Sequence, residues 1–216
     1  VPVPVLLGRN PAKLEALSAA HGGLAWSTDR DACLADPENQ VYFDVAATGG
    51  RFERAMSAIT AGKHIYLEKP VGASLQEALA LVDAAERAGV KNGVVQDKLF
   101  LPGLQKLSRL KRSGFFGRIL SVKLDFGWWI FDGADHASQR SSWNYRKAEG
   151  GGLILDMFPH WRYIIDKIVG EMRAVSCVSA TQTPTRIDEM GRAYEVDVED
   201  YVSAMVDIEG GAVAQI

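Results

Sequence analysis

The chain has 216 residues, 47% of them hydrophobic, and a formal net charge of −3. That is enough apolar material for a real core in one large or two modest domains, with no basic balance to attract nucleic acid or an anionic membrane. No run approaches the roughly 18 apolar residues of a bilayer span, Val1 to Val5 lacks the basic start and apolar centre of a signal peptide, and Cys33 and Cys177 have no metal-type spacing, so a reduced, cytoplasmic protein with buried thiols is expected.

Val3 to Leu7 reads as a strand, and Asn10-Pro11 supplies an N-cap and a first-turn proline for a helix through Ala20. Val41 to Ala47 is a continuous apolar run, the pattern of a strand covered on both faces. Phe52 to Ala61 reads as a helix stopped by Gly62, and Ile65 to Leu67 as the next strand. Ser74 and Glu77 form a capping box for a helix carrying Leu75, Ala78, Leu79, Val82 and Ala85 up to Gly89. Val90 to Gln96 is a fourth strand. Strands alternating with helices predict an α/β domain with a parallel, doubly wound sheet.

The rhythm changes near residue 98. A helix is expected over Pro102 to Lys111, then a long alternating strand from Ile119 to Trp129 with Val122, Leu124 and Phe126 on one face. A loop rich in Asp, Gly, Ser and Arg covers Asp132 to Lys147, and Gly150-Gly151-Gly152 leads into a helix from Leu153 to Ile168. Val175 to Ala180, Tyr201 to Ile208 and Ala212 to Ile216 read as strands with no helix between them, and Glu195 to Asp200 as a charged loop. The pattern predicts an α+β domain with a mixed or antiparallel sheet over 99–216, after a first domain over 1–98. The chain opens inside one apolar run and closes inside another, so it reads as an excerpt lacking an element at each end.

Two places carry chemistry. The strand at Ile65 to Leu67 ends in Glu68-Lys69-Pro70, and ligands of open α/β sheets bind beyond the carboxyl ends of strands. A lysine there points at a ligand and the proline fixes the backbone that aims it; a salt bridge between Glu68 and Lys69 explains the same residues. In the later helix, Asp156 and His160 at i, i+4 share a face, where the carboxylate could orient the imidazole and raise its basicity. The three glycines before them permit close approach of a backbone or a flat ligand. A solvated stripe continued by Tyr163 and Lys167 is the competing reading, and Pro159 should kink or break the helix. The aromatic residues Trp128, Trp129, Phe131, Trp143 and Tyr145 suit sugar rings or core packing equally. Arg140, Arg146 and Lys147 fit an acidic substrate or a solvated loop, and the histidines show no metal spacing.

Ala61-Gly62-Lys63-His64-Ile65-Tyr66-Leu67-Glu68-Lys69-Pro70, Gly114-Phe115-Phe116-Gly117-Arg118-Ile119, Trp143, and the run from Gly150 to His160 together resemble the glucose-fructose oxidoreductase, inositol dehydrogenase and rhizopine-catabolism family (Gfo/Idh/MocA). The resemblance covers nearly the whole chain. It implies a Rossmann-type dinucleotide-binding domain, a substrate-binding α+β domain, and hydride transfer between NAD or NADP and a sugar, polyol or related alcohol or ketone. By the same resemblance, Lys69, His160 and Asp156 are the catalytic group. Gly8, Arg9, Asn10, Ala47, Thr48, Glu68, Lys69, Pro70 and Gln96 are cofactor-binding, and Lys98, Trp143, Arg146, Asp156 and His160 substrate-binding. A homodimer or homotetramer through the second-domain sheet is also implied, with no metal.

The chain departs from the family pattern in four places. The glycine-rich phosphate loop is absent and is expected upstream of Val1. The first visible strand ends in Gly8-Arg9-Asn10, where many relatives carry an acid for the adenosine ribose. Arg9, with Lys13 nearby, favours a 2′-phosphate and hence NADP, although an arginine here also fits stacking on adenine. Ala46-Ala47-Thr48-Gly49-Gly50-Arg51 replaces the usual Thr-Pro-Asn-x-x-His turn, and Gln96-Asp97-Lys98 follows the fourth strand. Two other functions keep the fold: a retained, recycling NAD that oxidises a sugar so that a glycosidic bond eliminates, and a non-catalytic nucleotide-binding module.

Overall fold

In the computed structural model, which describes residues 3–127, 132–138, 140 and 142–216, local capping sets the first helices as the sequence predicts. Asn10 Oδ1 accepts from Lys13 N at 3.1 Å, with Pro11 opening the helix α1, Pro11–Ala20. The strand before it, β1, is only Leu6–Leu7 and pairs in parallel with β2, Trp26–Ser27. Neither β2 nor the short helix α2, Arg30–Ala35, was legible in the hydrophobic pattern. Three parallel strands follow: β3 (Val41–Asp44), β4 (His64–Leu67) and β5 (Asn92–Val94), in the order β3-β4-β5. They alternate with α3, Arg51–Thr60, and α4, Leu75–Arg87. Gly62 takes φ +72° past the end of α3, and Ser74 Oγ accepts from Glu77 N at 3.2 Å to cap α4.

Two apolar runs are less buried than their patterns suggested. Val41, Phe43 and Val45 are exposed, so β3, an edge strand, is not covered on both faces by the described residues. On α4, Leu81 and Ala85 are buried, whereas Leu75, Leu79 and Val82 are exposed. Cys33 is half-buried and Cys177 exposed, against the expectation of buried thiols; Cys177 lies on an edge strand whose residues are largely uncovered. Among the described residues no helix is long and apolar enough to cross a membrane.

The turn after β3, where the family motif is replaced, is an ionic cluster. Asp44 is 2% exposed and accepts from Arg51 Nε at 3.3 Å and Arg54 Nε at 2.7 Å. Tyr42 donates its hydroxyl to Asp44 at 3.2 Å, and burial together with the Asp44 charge pushes the phenol up to about 12. Arg51 is itself 2% exposed and donates to the Ala46 carbonyl. Its guanidinium is therefore spent on holding the turn.

The chain divides into two compact units. One contains Val1–Ala46, Gly50–Glu68 and Ser74–Val94; the other contains Ala47–Gly49, Lys69–Ala73 and Val95–Ile216. In the second unit, a 3₁₀ turn at Asp97–Phe100 precedes α5, Pro102–Arg112. The strands are β6 (Ser121–Lys123), β7 (Met172–Ala180), β8 (Thr185–Ile187), β9 (Ala193–Glu195), β10 (Tyr201–Ile208) and β11 (Val213–Gln215). The main sheet runs β6-β11-β10-β7, with β6 parallel to β11 and the other pairs antiparallel, so the expected mixed sheet is present. The β8–β9 hairpin was not foreseen, and β6 is far shorter than the predicted strand.

The helix α6, Leu153–Ile168, packs Ile165 and Phe158 against Ala204, Val206, Ile208 and Ala214 of this sheet. Each large aliphatic side chain so buried contributes about 1.5–3 kcal/mol. Its start depends on the three glycines. A Cβ at Gly151 would lie 2.5 Å from the Asn144 carbonyl oxygen, and Gly150 and Gly152 hold φ of +74° and +121°. The first helical donors are taken by Glu199: Leu153 N reaches its carbonyl at 3.0 Å and Ile154 N its Oε1 at 2.9 Å.

Replacing Asp44 with Ala leaves Arg51 buried without its carboxylate. The expected cost is about 3–5 kcal/mol of stability, measured by urea unfolding; a loss below about 1 kcal/mol would show the cluster to be dispensable.

Candidate active site

Of the kink or break expected at Pro159, helix α6 shows no break, and it places Asp156, His160 and Tyr163 on one face at i, i+4, i+7. Asp156 lies in the first turn, where a carboxylate is favoured by the positive end of the helix dipole. Lys69 lies in the loop after β4 and belongs to the same compact unit as α6. Its Nζ donates to Asp156 Oδ1 at 2.7 Å and to the Asp156 carbonyl at 2.7 Å. The Lys69–Pro70 peptide is cis. The second carboxylate oxygen of Asp156 pairs with Arg140. With the Asn144 amide turned so that its oxygen faces the guanidinium, Arg140 Nε also donates to Asn144 at 3.0 Å. The side chains of Lys69 and Asp156 are only 16% and 13% exposed, so this pairing is shielded from solvent far more than a surface salt bridge.

Asp156 was expected to orient His160. The structure gives the ring a different holder, because the Asp156 carboxylate is occupied by two cations. His160, 6% exposed, has its Nδ1 2.5 Å from the Tyr163 hydroxyl. Tyr163 in turn reaches Asp97 Oδ1 at 3.3 Å and accepts from Lys98 N at 3.3 Å. Lys98 Nζ pairs with Asp97 at 2.7 Å. Burial, then the charges of Lys69 and Lys98, push the imidazole down to about 4; Asp97 works against them. Burial tends to raise the Asp97 carboxyl, but the hydrogen bond and charge of Lys98 outweigh it and hold Asp97 below its ordinary value.

Asp156 also lines a cavity of about 290 Å³, with Phe126, Asn144, Tyr145, Trp161 and Tyr201 among its walls. Phe126 and Phe158 both meet Trp161 edge-on, with ring centroids 5.8 and 5.1 Å away.

The other predicted site residues are placed variously. Gly8 is half-buried, and Arg9 and Asn10 are exposed just after β1, with Asn10 serving as the α1 cap. Ala47 is exposed; Thr48 is buried, with its methyl 3.1 Å from where a Gly150 Cβ would sit. Glu68 and Pro70 are half-buried, and the Glu68 backbone N donates to Asp44 O at 2.9 Å. Gln96 is exposed, and Lys98 is half-buried beside Asp97. Trp143 and Arg146 are half-buried, Arg146 lying 4.8 Å over the Tyr194 ring. Trp128, Trp129 and Phe131 lie outside the described residues. Arg140 was weighed from the sequence only as a holder of an acidic substrate or a solvated loop residue, and Tyr163 and Asp97 were not singled out as site residues. The spacing of Tyr163 from His160 was a usable signal, whereas Arg140 and Asp97 arrive from distant segments.

Comparison with known proteins agrees with this architecture. Residues 3–96 match the oxidoreductase family with an NAD-binding Rossmann fold, and residues 104–216 match the GFO/IDH/MocA C-terminal domain. The chain is 46% identical over 206 residues to D-xylose dehydrogenase of Paenarthrobacter nicotinovorans, covering 95% of this chain and 53% of that protein. It is 28% identical over 231 residues to levoglucosan dehydrogenase of Pseudarthrobacter phenanthrenivorans, covering 100% of this chain and 58% of that protein. Among solved structures, levoglucosan dehydrogenase in complex with NADH and levoglucosan superposes with a TM-score of 0.82 at 28% identity, over 99% of this chain and 56% of that one. An oxidoreductase domain protein from Kribbella flavida gives 0.86 at 25% identity, over 99% and 57%. The chain thus spans a little over half the length of these relatives. With both halves matched in order, it belongs to the Gfo/Idh/MocA oxidoreductase family.

Proposed function

We propose that the intact protein is an NAD(P)-dependent dehydrogenase of sugars or related polyols. The observation that carries this reading is the gathering of Lys69, Asp156 and His160 in one compact unit, with an imidazole that is neutral at physiological pH. The relatives named D-xylose and levoglucosan dehydrogenase support the substrate class. The cavity beside Asp156 supports it too, since aromatic walls suit the apolar faces of a sugar ring and Asp156 and Asn144 offer polar partners for its hydroxyls.

The residues present suit a nicotinamide dinucleotide. Gly8-Arg9-Asn10, Ala47-Thr48, Glu68-Lys69-Pro70 and Gln96 each come just after a parallel strand, the position where such folds bind dinucleotides. Arg9 is exposed and Lys13 stands one turn into α1, a cationic donor set for a 2′-phosphate that favours NADP. When bound, the oxidised nicotinamide accepts hydride from the carbinol carbon. The protein handles the proton and the charge. Neutral His160 takes the hydroxyl proton as general base. The Lys69 ammonium stabilises alkoxide character on the same oxygen. Asp156 holds the ammonium in place and accepts from a neighbouring substrate hydroxyl.

A second copy would dock on the outer face of the main sheet. Val178, Tyr201, Met205 and Val213 all lie exposed on the face opposite buried Ala204, Val206 and Ile208. This supports a homodimer or homotetramer. Sedimentation of the intact protein should give a dimer or larger, with Met205→Glu shifting it towards monomer; a monomeric wild type would remove the proposal.

The dehydrogenase reading is tested with a panel of pentoses, hexoses, anhydrosugars and polyols, following reduction of NAD⁺ and NADP⁺ by absorbance. Turnover is expected on at least one sugar, with NADP⁺ preferred. Lys69→Ala and His160→Ala should each lower kcat by about 10²-fold or more. Sugar cleavage without net cofactor reduction would point instead to oxidation and elimination.

A buried imidazole held neutral makes stability depend on pH. Around His160 stand Tyr163 on its own helix, Asp97 and Lys98 on the 3₁₀ turn, Lys69 on the loop after β4, and Arg140. An unfolded histidine titrates at 6.5, so as pH falls from 6.5 the unfolded chain binds a proton that folded His160 refuses. The stability contribution is complete above 6.5 and is lost as pH falls through about 4. The acid limb of kcat/KM should likewise fall well below 6.5. A limb at or above 6.5 would show that His160 is not the base, or not buried as described.

A further inference from the structure

We propose that Asp97, acting through the Tyr163 hydroxyl, holds His160 as the Nδ1–H tautomer and so leaves Nε2 as the nitrogen that receives the substrate proton. The proposal rests on the dehydrogenase reading for its consequence in turnover, whereas the tautomer is argued from the hydrogen-bond directions at the Tyr163 hydroxyl.

Tyr163 has one phenolic proton, and three polar groups at its hydroxyl bear on where that proton goes. The Lys98 backbone N–H, 3.3 Å from the phenol oxygen, can only donate. Asp97 Oδ1, 3.3 Å away, belongs to an ionised carboxylate and can only accept. The phenol proton is therefore directed to Asp97. Towards His160 Nδ1, at 2.5 Å, the phenol has only a lone pair to offer. That contact is a hydrogen bond only if Nδ1 carries the proton, which leaves Nε2 with its lone pair. Asp97 cannot do this directly: its Oδ1 is 3.7 Å from Nδ1, beyond hydrogen-bond range. Tyr163 is the link, with its ring edge-on to the imidazole at 81° and 5.5 Å between centroids.

The arrangement also serves the charged intermediate. With an oxidised nicotinamide bound to take the carbinol hydride, the alcohol proton would end on Nε2, and Nδ1 would keep its own proton throughout. The resulting imidazolium donates to the phenol, which donates to the Asp97 carboxylate, so negative charge is relayed by dipoles to a ring crowded by the Lys69 and Lys98 ammoniums. Tyr163 and Asp97 are thus assigned as positioning residues that act through His160.

The test is ¹⁵N NMR of the imidazole nitrogens in the intact, histidine-labelled protein at neutral pH. The chain has four histidines, and the His160 signal is assigned as the one missing in His160→Gln. Wild type should show His160 protonated at Nδ1. In Tyr163→Phe the acceptor is gone, and the proton should move to Nε2, the usual preference of a free imidazole. Its kcat should fall about tenfold or more, with KM for the cofactor unchanged. Asp97→Asn keeps the phenol and removes the charge, so the acid limb of the pH profile should move lower than in wild type; it also serves if Tyr163→Phe does not fold. A wild-type His160 protonated at Nε2 overturns the proposal. So does a Tyr163→Phe variant that keeps the Nδ1 proton or loses the tautomer without losing kcat. If the tautomer behaves as described but wild type oxidises no sugar, the dehydrogenase reading fails and the role of Tyr163 and Asp97 in turnover falls with it, while the hydrogen-bond assignment stands.

Discussion

The carboxylate of Asp156 is the point on which the second unit is organised. Two cations from separate segments, Lys69 after β4 and Arg140 from the long loop, converge on its two oxygens. A largely shielded carboxylate gains from such pairing only if each oxygen has a partner, because the cost of desolvating an unpaired charge exceeds any single contact. Lys69 also spends a second hydrogen bond on the Asp156 carbonyl. The lysine is therefore tied to the backbone of α6 as well as to its side chain, and the loop after β4 is held against the start of that helix.

That start is itself constrained. The glycines at 150–152 let the chain pass against the Asn144 backbone at distances no side chain tolerates, and Glu199 receives the first helical N–H groups. Loop 143–144, the acidic segment before β10 and the helix terminus are consequently fixed together. Trp161, Ile165 and Ile168 then bury one stripe of α6, while Asp156, His160 and Tyr163 occupy the adjacent stripe. The helix is a rigid ruler between the core and the candidate site. Its 3.6-residue period determines which side chains share the face of the candidate site, and the packing of the buried stripe determines that the ruler does not turn.

Much of this was legible in the residues alone. Caps at Asn10 and Ser74, glycine stops and the switch from βα alternation to consecutive strands are local signals, and the elements they announce are where they were expected. The spacing of Asp156, His160 and Tyr163 is likewise a property of one helix. Short elements such as β2, α2 and the β8–β9 hairpin carry too few residues to impose a period, so they escaped notice. The exposed faces of β3 and α4 show the same limit from the other side: an apolar run states a preference for burial but does not supply the partner that buries it.

The sequence by itself determined the family, the order of the elements and the face of α6 that bears the acid, the imidazole and the phenol, because each of these follows from motifs or from the helical period. Tertiary structure alone decided the partners. Asp156 was free on paper to orient His160, but Lys69 and Arg140, 87 and 16 positions earlier in the chain, claim its oxygens, and Tyr163 with Asp97 takes over the ring. Geometry is the reason: the Asp156 oxygens face two cations while His160 Nδ1 faces the Tyr163 hydroxyl, and which groups meet depends on contacts between residues far apart in sequence.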